Sequence, residues 1–308
     1  MESLVSITDL SKKFGSFSAV SGLSFSVNKG EVLGFLGPNG AGKTTTMRMI
    51  TGYFPPTSGE IEVCGFNVLK NRVESSKRIG YLPEGGPLYN DMTPETFLGF
   101  MGEIRGLKGD KLKERMDFVI QKLHLSKVLK QNIDTLSKGF KRRVALAQAI
   151  IHDPEVLILD EPTDGLDPNQ KHEVRELIKS MAKDKAIIIS THILEEVEAI
   201  CSRAIVIAGG KIVASGTTDE ITRKASSHNS VVIKLKNESA DKILHDIRAL
   251  QDIAEVKMEG QNSVIAFPKN GKYILPDISD MLYRQKYQIE ELYSRKGALD
   301  EAFRELTN

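Results

Sequence analysis

The sequence predicts an α/β chain in two parts, a large one built on a mostly parallel core sheet and a small α+β one behind it. Three observations predict this. Gly37-Pro38-Asn39-Gly40-Ala41-Gly42-Lys43-Thr44 reads G-x-x-x-x-G-K-T and stands between an apolar run and a helix-like stretch. Val156-Leu157-Ile158-Leu159 is wholly apolar and ends in Asp160-Glu161, the pattern of a strand buried on both faces of a parallel sheet. After the polar stretch Ala225–Ser230, strand and helix patterns follow in the order β-α-β-β-α-β, a ferredoxin-like split arrangement.

The bulk numbers narrow the class. The chain has 308 residues, room for one large and one small domain; 40% are hydrophobic and 27% charged, an ordinary globular composition. A formal net charge of +1 gives no overall basic field, so no nucleic-acid partner is expected. Cys64 and Cys201 lack metal-ligand spacing and read as packing residues suited to a reducing compartment. Residues 1–13 carry Glu2 and Asp9 and no long apolar core, so no signal peptide is expected. No apolar run reaches the roughly 18–20 residues that span a bilayer, so work at a membrane would need a second chain.

Taken in order, Val5–Leu10 and the alternating Leu23–Val27 read as strands of an antiparallel N-terminal part, with Phe14-Gly15 between them. Val32–Leu36 is a buried strand, Thr44–Thr51 a helix stopped by Gly52, and Ile61–Val63 and Arg78–Leu82 further strands. Pro83-Glu84-Gly85-Gly86-Pro87 must be an irregular loop. Thr93-Pro94-Glu95 is a helix start, with a capping hydroxyl, proline at the first helical position and an early acid. That helix runs to about Arg105, and Lys111–Leu123 is another with one apolar face. A helical subdomain is therefore expected over about 89–152. Ser137 caps its last helix, which runs through Ile150; Lys141-Arg142-Arg143 read as a basic, solvated face. Asp167-Pro168 starts one more helix, Ala186–Ser190 is a buried strand, and Gly209-Gly210 turns a hairpin. The expected domains are 1–224 and 230–308.

The chemistry is concentrated at the glycine-rich loop. Glycines let successive backbone N–H groups point at phosphate oxygens, and the helix that follows aims its positive end at the same anion. Gly37, Pro38, Asn39, Gly40, Ala41, Gly42, Lys43, Thr44 and Thr45 are thus the candidate phosphate cradle, with the Lys43 charge for β- and γ-phosphates and the Thr44 hydroxyl for Mg²⁺. Asp160 and Glu161 lie where ligands bind in open α/β sheets, beyond a strand's C-terminal end. The first can hold Mg²⁺ through its water shell, and the second can take a proton from an attacking water. His192 follows the Ala186–Ser190 strand and falls on the same sheet edge. Gly139 leaves bare N–H groups at a second helix start, another place for an anion.

In this order and spacing, the set resembles the ATPase subunit of an ABC transporter, over residues 1 to about 224. Gly37–Thr44 is similar to the family's Walker A, Val156–Glu161 to its Walker B, Leu136–Phe140 to its signature, Gly165–Pro168 with Asp167 to its D-loop, and His192 to its switch histidine. The resemblance implies a P-loop NTPase cassette, with Phe14 stacking on adenine and Mg²⁺ held by Thr44, Glu84 and Asp160. It also implies a head-to-tail homodimer in which Ser137 and Gly139 of one copy face the phosphates on the other. Two departures stand out: Glu84 occupies the usual glutamine position, and the signature reads L-S-K-G-F rather than L-S-G-G-Q. The cassette with its C-terminal extension resembles single-cassette ATPases of bacterial exporters of the gliding-motility-associated, sodium or multidrug type. Their multi-span membrane permease is a separate chain, which would place this protein peripherally on the cytoplasmic face of the membrane. The competing expectation is a soluble cassette ATPase acting on DNA or ribosomes. It is opposed by the short segment between Thr45 and Thr135, which lacks heptads, and by the single cassette. A module without turnover is opposed by Glu161 and His192.

Overall fold

A computed structural model of the chain describes residues 2–86, 88–236 and 238–307, so Pro87 of the expected loop lies outside them. By its contacts the chain forms two compact units, Met1–Ser215 and Gly216–Asn308. The division thus precedes the polar stretch 225–230.

The first unit begins with long strands β1 (Ser3–Phe14) and β2 (Phe17–Asn28), then β3 (Val32–Leu36) and α1 (Lys43–Ile50). Next come β4 (Ser58–Val63), β5 (Phe66–Asn67), α2 (Arg72–Arg78) and β6 (Ile79–Leu82). Arg78 therefore ends a helix; the expected strand starts one residue later. The helical region holds α3 (Pro94–Ile104), α4 (Gly109–Lys122) and α5 (Lys138–Ile150). The rest is β7 (Val156–Asp160), α6 (Pro168–Ala182), β8 (Ala186–Thr191), α7 (Leu194–Ile200), β9 (Arg203–Ala208) and β10 (Lys211–Gly216). The expected caps are present. Thr93 and Thr96 close a reciprocal box at α3, Ser137 Oγ accepts from Phe140 N–H at 3.3 Å, and Asp167 Oδ1 accepts from Gln170 N–H at 2.9 Å.

Two sheets result. One is antiparallel, in the order β2-β1-β4-β5; the other runs β10-β9-β3-β8-β7-β6, with β9 through β6 parallel. The apolar run of β7 shows why such strands read as continuous. Val156 and Ile158 pack with α1 and the antiparallel sheet, while Leu157 and Leu159 pack with the helices from α3 to α7. A period of two serves two cores at once. Gly34 interrupts the β3 run because a β-carbon there would lie 2.9 Å from Cys201 Sγ, so the α7–β9 connection packs against bare backbone. Cys201 and Cys64 are free thiols that burial raises to about 12 and about 11.

The second unit holds α8 (Thr218–Thr222), β11 (Val231–Leu235), α9 (Asp241–Arg248), β12 (Ile253–Met258), β13 (Ser263–Pro268), α10 (Leu275–Arg284), β14 (Ile289–Ser294) and α11 (Leu299–Thr307). Its antiparallel sheet runs β12-β13-β11-β14, so the first strand pairs with the third and the last, as the split arrangement requires. Ile243, Ile247, Ile278 and Leu282 of the two helices cover one face. The box-capped α8 packs on α11, and Ser226 and Ser227 bond to Glu305 and Glu301 of α11. These contacts draw the segment after Ser215 into this unit.

Candidate active site

The groups expected to act on the phosphates within one copy come from the C-terminal ends of neighbouring parallel strands. The order β3-β8-β7-β6 puts the glycine-rich loop, His192, Asp160-Glu161 and Glu84 along one sheet edge. Register holds them level: Leu36 pairs with Thr191, Asp160 with Ser190, and Leu82 with Leu159.

The loop's conformation depends on its glycines. Gly40 and Gly42 have φ of 80° and 105°. A β-carbon on Gly42 would meet the Ala19 carbonyl at 2.6 Å, and one on Gly37 the Ile207 carbonyl at 2.4 Å. The backbone can therefore curl between β2 and β9 only where side chains are absent. Lys43 opens α1, is 7% exposed, and donates from Nζ to the carbonyls of Gly37 at 2.7 Å and Pro38 at 3.1 Å. Burial lowers its pKa from the ordinary lysine value, while the charges of Glu161, Asp160 and Glu84 oppose that shift.

A cleft of about 250 Å³ opens over this loop. Phe14, Phe17, Ala19, Asn39, Gly40 and Gly42 line one part, and Lys43, Thr44, Thr45, Asp160 and Glu161 the other. Phe14 is 49% exposed and meets Phe54 edge-on, with centroids 5.8 Å apart. Phe17, more exposed still, stands beside it across the hairpin and escaped the sequence reading; its signal was the doubled aromatic in F-G-S-F.

Asp160 continues the parity of Val156 and Ile158, so its carboxylate falls on the α1 side of the sheet. It is 1% exposed, and its Oδ2 is buried without a hydrogen-bond partner. An orphaned carboxylate oxygen beside Thr44 fits a divalent cation or its water shell. Among the described residues no cluster of three His, Cys, Asp or Glu could hold a metal alone, so such a cation also needs the Thr44 hydroxyl and phosphate or water oxygens. Glu84 is exposed on the loop after β6, outside the cleft lining but near enough to act on Lys43.

Glu161 leaves the strand in a left-handed conformation, φ 51°, which costs a non-glycine residue on the order of 1 kcal/mol or more. Its N–H donates to Ser190 O at 2.9 Å. Its Oε1 accepts from His192 Nδ1–H at 2.7 Å, and its Oε2 lies 3.3 Å from Thr191 Oγ1. Thr191 Oγ1 also lies 2.8 Å from Glu196 Oε2, a buried carboxyl that desolvation holds above its ordinary pKa. The bend thus turns a carboxylate toward the cleft and holds it by both oxygens. Neither Thr191 nor Glu196 stood out in the sequence.

Ser137, Gly139 and Asp167 are elsewhere. None lines the cleft; Ser137 is exposed at the start of α5, and Asp167 caps α6. Gly139 is buried against Gln170, and Lys138 pairs with Asp164 at 2.9 Å beside Gly165. The expected solvated face of α5 is corrected: Arg142 and Arg143 are each only 7% exposed. Arg143 reaches Leu123 O and Glu173, and Arg142 reaches backbone carbonyls at the ends of β6 and β7. Phe140 packs on the same helical core.

Comparison with known proteins shows the family. The ABC transporter family matches residues 20–164. The bacitracin transport ATP-binding protein BcrA of Bacillus licheniformis is 38% identical over 262 residues, covering 82% of this chain and 84% of that protein. The probable multidrug ABC transporter ATP-binding protein YbhF of Escherichia coli is 38% identical over 229 residues; the match covers 74% of this chain but only 39% of that longer relative. A solved ATP-binding subunit of an ABC transporter superposes with a TM-score of 0.68 at 31% identity, covering 71% of this chain and 92% of that one.

Proposed function

The chain belongs to the ABC transporter family as an ATP-binding protein, and from that premise we propose that it hydrolyses ATP to drive export through a separate, multi-span membrane permease. Two copies pair head to tail, each nucleotide held by the glycine-rich loop of one and the Ser137–Gly139 helix start of the other. One observation carries this reading. Lys43, Thr44, Asp160 and Glu161 converge on a single cleft, whereas the second anion-binding helix start does not line it. A second molecule supplies that half.

In this account Phe14, with Phe17 beside it, stacks on the base, so discrimination between ATP and GTP is modest. Lys43 turns from the Gly37 and Pro38 carbonyls to the β- and γ-phosphates. Thr44, Asp160 and Glu84 would hold Mg²⁺, which would supply charge neutralisation on the phosphates. Glu161 takes a proton from the attacking water, and His192 passes from the Glu161 carboxylate to the γ-phosphate. Positioning and electrostatics do most of the work in such a transfer. Release of phosphate opens the pair, and the helical region carries the motion to the permease. The ferredoxin-like unit contributes no group to this chemistry and is assigned a docking or regulatory role.

Among the described residues no helix is long and apolar enough to cross a membrane. By analogy with its transporter relatives, the span is assigned to the partner and this chain to the cytoplasmic face. The test is co-expression with a multi-span membrane protein encoded beside it. The chain is expected in the membrane fraction only when that protein is present, with ATP turnover raised there. A chain that ignores that protein and sediments with ribosomes or DNA would favour the soluble alternative.

A further inference from the structure

Arg142 lies one turn inside α5, buried, and its guanidinium is spent entirely on backbone carbonyls. Nη2 donates to the carbonyls of Asp160 and Glu161, Nη1 to Pro83 O at 3.1 Å, and Nε to Pro162 O at 3.4 Å. These four acceptors belong to the two segments that carry the acidic groups of the site, the end of β7 and the loop that leads from β6 into Glu84. Burial pulls the arginine's pKa down, and the charges of Asp164, Asp160, Glu161 and Glu84 oppose that.

The contact with Glu161 matters most. Its left-handed backbone persists only if the peptides on both sides are held. Ser190 O takes the N–H on one side, and Arg142, together with the Asp164 N–H at 3.1 Å, holds the carbonyl on the other. Together they fix the direction of the Cα–Cβ bond, and so where the carboxylate meets His192 and Thr191. A planar fork with several rigid N–H donors can serve carbonyls in divergent directions; a lysine ammonium in the same space cannot.

We propose that Arg142 is a positioning residue that ties the aim of Glu161 to the helix whose start completes the sister molecule's nucleotide site. This rests on the head-to-tail reading above. When Ser137 and Gly139 engage phosphate on the sister chain, α5 is held, and Arg142 holds Glu161 of its own chain in the pose that activates water. The two sites of a pair thereby become dependent on one another without any group passing between them.

The test uses the full chain with Arg142→Lys and Arg142→Gln, each alone and combined with Glu161→Gln. Turnover is measured against ATP concentration, binding with a fluorescent ATP analogue, and folding by thermal melting. Arg142→Lys keeps the buried charge and loses only the fork, so it carries the test even if Arg142→Gln folds poorly. With Glu161 present, both are expected to lower kcat about 10- to 100-fold, the scale of a small misplacement, with KM and analogue affinity within about threefold. In the Glu161→Gln background the same change is expected to slow the residual rate less than about twofold, because its effect runs through that carboxylate. Full activity of Arg142→Lys, or a loss that multiplies with that of Glu161→Gln, would overturn the assignment. Near-normal turnover by Glu161→Gln alone would instead overturn the base role on which it rests, an outcome the single variants distinguish.

Discussion

Glu161→Gln is expected to bind ATP as tightly as the parent chain and to turn it over about 10²–10⁴-fold more slowly. The change corresponds to roughly 3–5 kcal/mol of barrier. Glutamine matches glutamate in shape and can still meet His192 and Thr191, so the left-handed bend at φ 51° and the cleft lining survive. What it removes is the ability to accept a proton. Binding is spared because the phosphate cradle lies on β3 and α1, a different strand end. With the nucleotide held and not cleaved, the paired state should accumulate, visible as a doubled mass by light scattering in ATP. Turnover within about twofold of the parent would take the base role from Glu161.

Lys43→Ala should do the reverse, weakening binding before chemistry is reached. Nζ is buried, which lowers its pKa, while the charges of Glu161, Asp160 and Glu84 favour its charged form. A triphosphate brought into the cleft reinforces the charged form, and removing one partner of such a buried charged contact costs about 2–5 kcal/mol. The expected weakening is therefore roughly 30- to 5,000-fold in ATP affinity by titration calorimetry. The fold should tolerate the change. Lys43 contributes only two hydrogen bonds to loop carbonyls in the free chain, and alanine is the best helix former for the start of α1. Unchanged affinity would mean that the backbone cradle alone holds the phosphates.

The sequence was most legible where one physical requirement acts on consecutive residues. Val156–Leu159 had to be apolar to serve two cores, and the glycine-rich loop had to be bare to pass Ala19 and Ile207. Ser137, Thr93 and Asp167 announced their helices through the hydroxyl or carboxylate that an exposed first turn needs. The missed elements carry no such stripe. In α2, R-V-E-S-S-K-R buries only Ser75, so no apolar period marks it, and the cue that remained was the following I-G-Y-L. Helices α7 and α8 are seven and five residues long, too short for a period to declare itself. Their neighbours hold them in place instead.

At the site, residue types were readable and directions were not. A lysine-arginine run is usually solvated, and nothing in K-R-R says that four backbone carbonyls converge where Arg142 ends. The same holds for Thr191, which reads as the last residue of a strand and stands between two carboxylates. Ser137 and Gly139 were readable as a helix start open to an anion and as a motif, and their absence from the cleft lining is what points to a second molecule.

That dependence can be measured by mixing two inactive chains. Lys43→Ala spoils the loop and leaves the α5 start intact. Gly139→Asp places a negative charge where the sister's phosphate would dock. An acid in the first turn favours the helix, and its β-carbon would meet the movable end of Gln170 at 2.7 Å and Leu166 Cδ2 at an ordinary 3.6 Å, so the fold is expected to accommodate it. Each chain alone should be inert. Mixed in equal amounts, roughly a quarter of the parent's sites should be whole, since half the pairs are mixed and each has one intact site of two. ATP turnover well above the sum of the separate chains is the predicted result. A mixture no more active than that sum, or a parent chain that runs at full rate as a strict monomer, would contradict it.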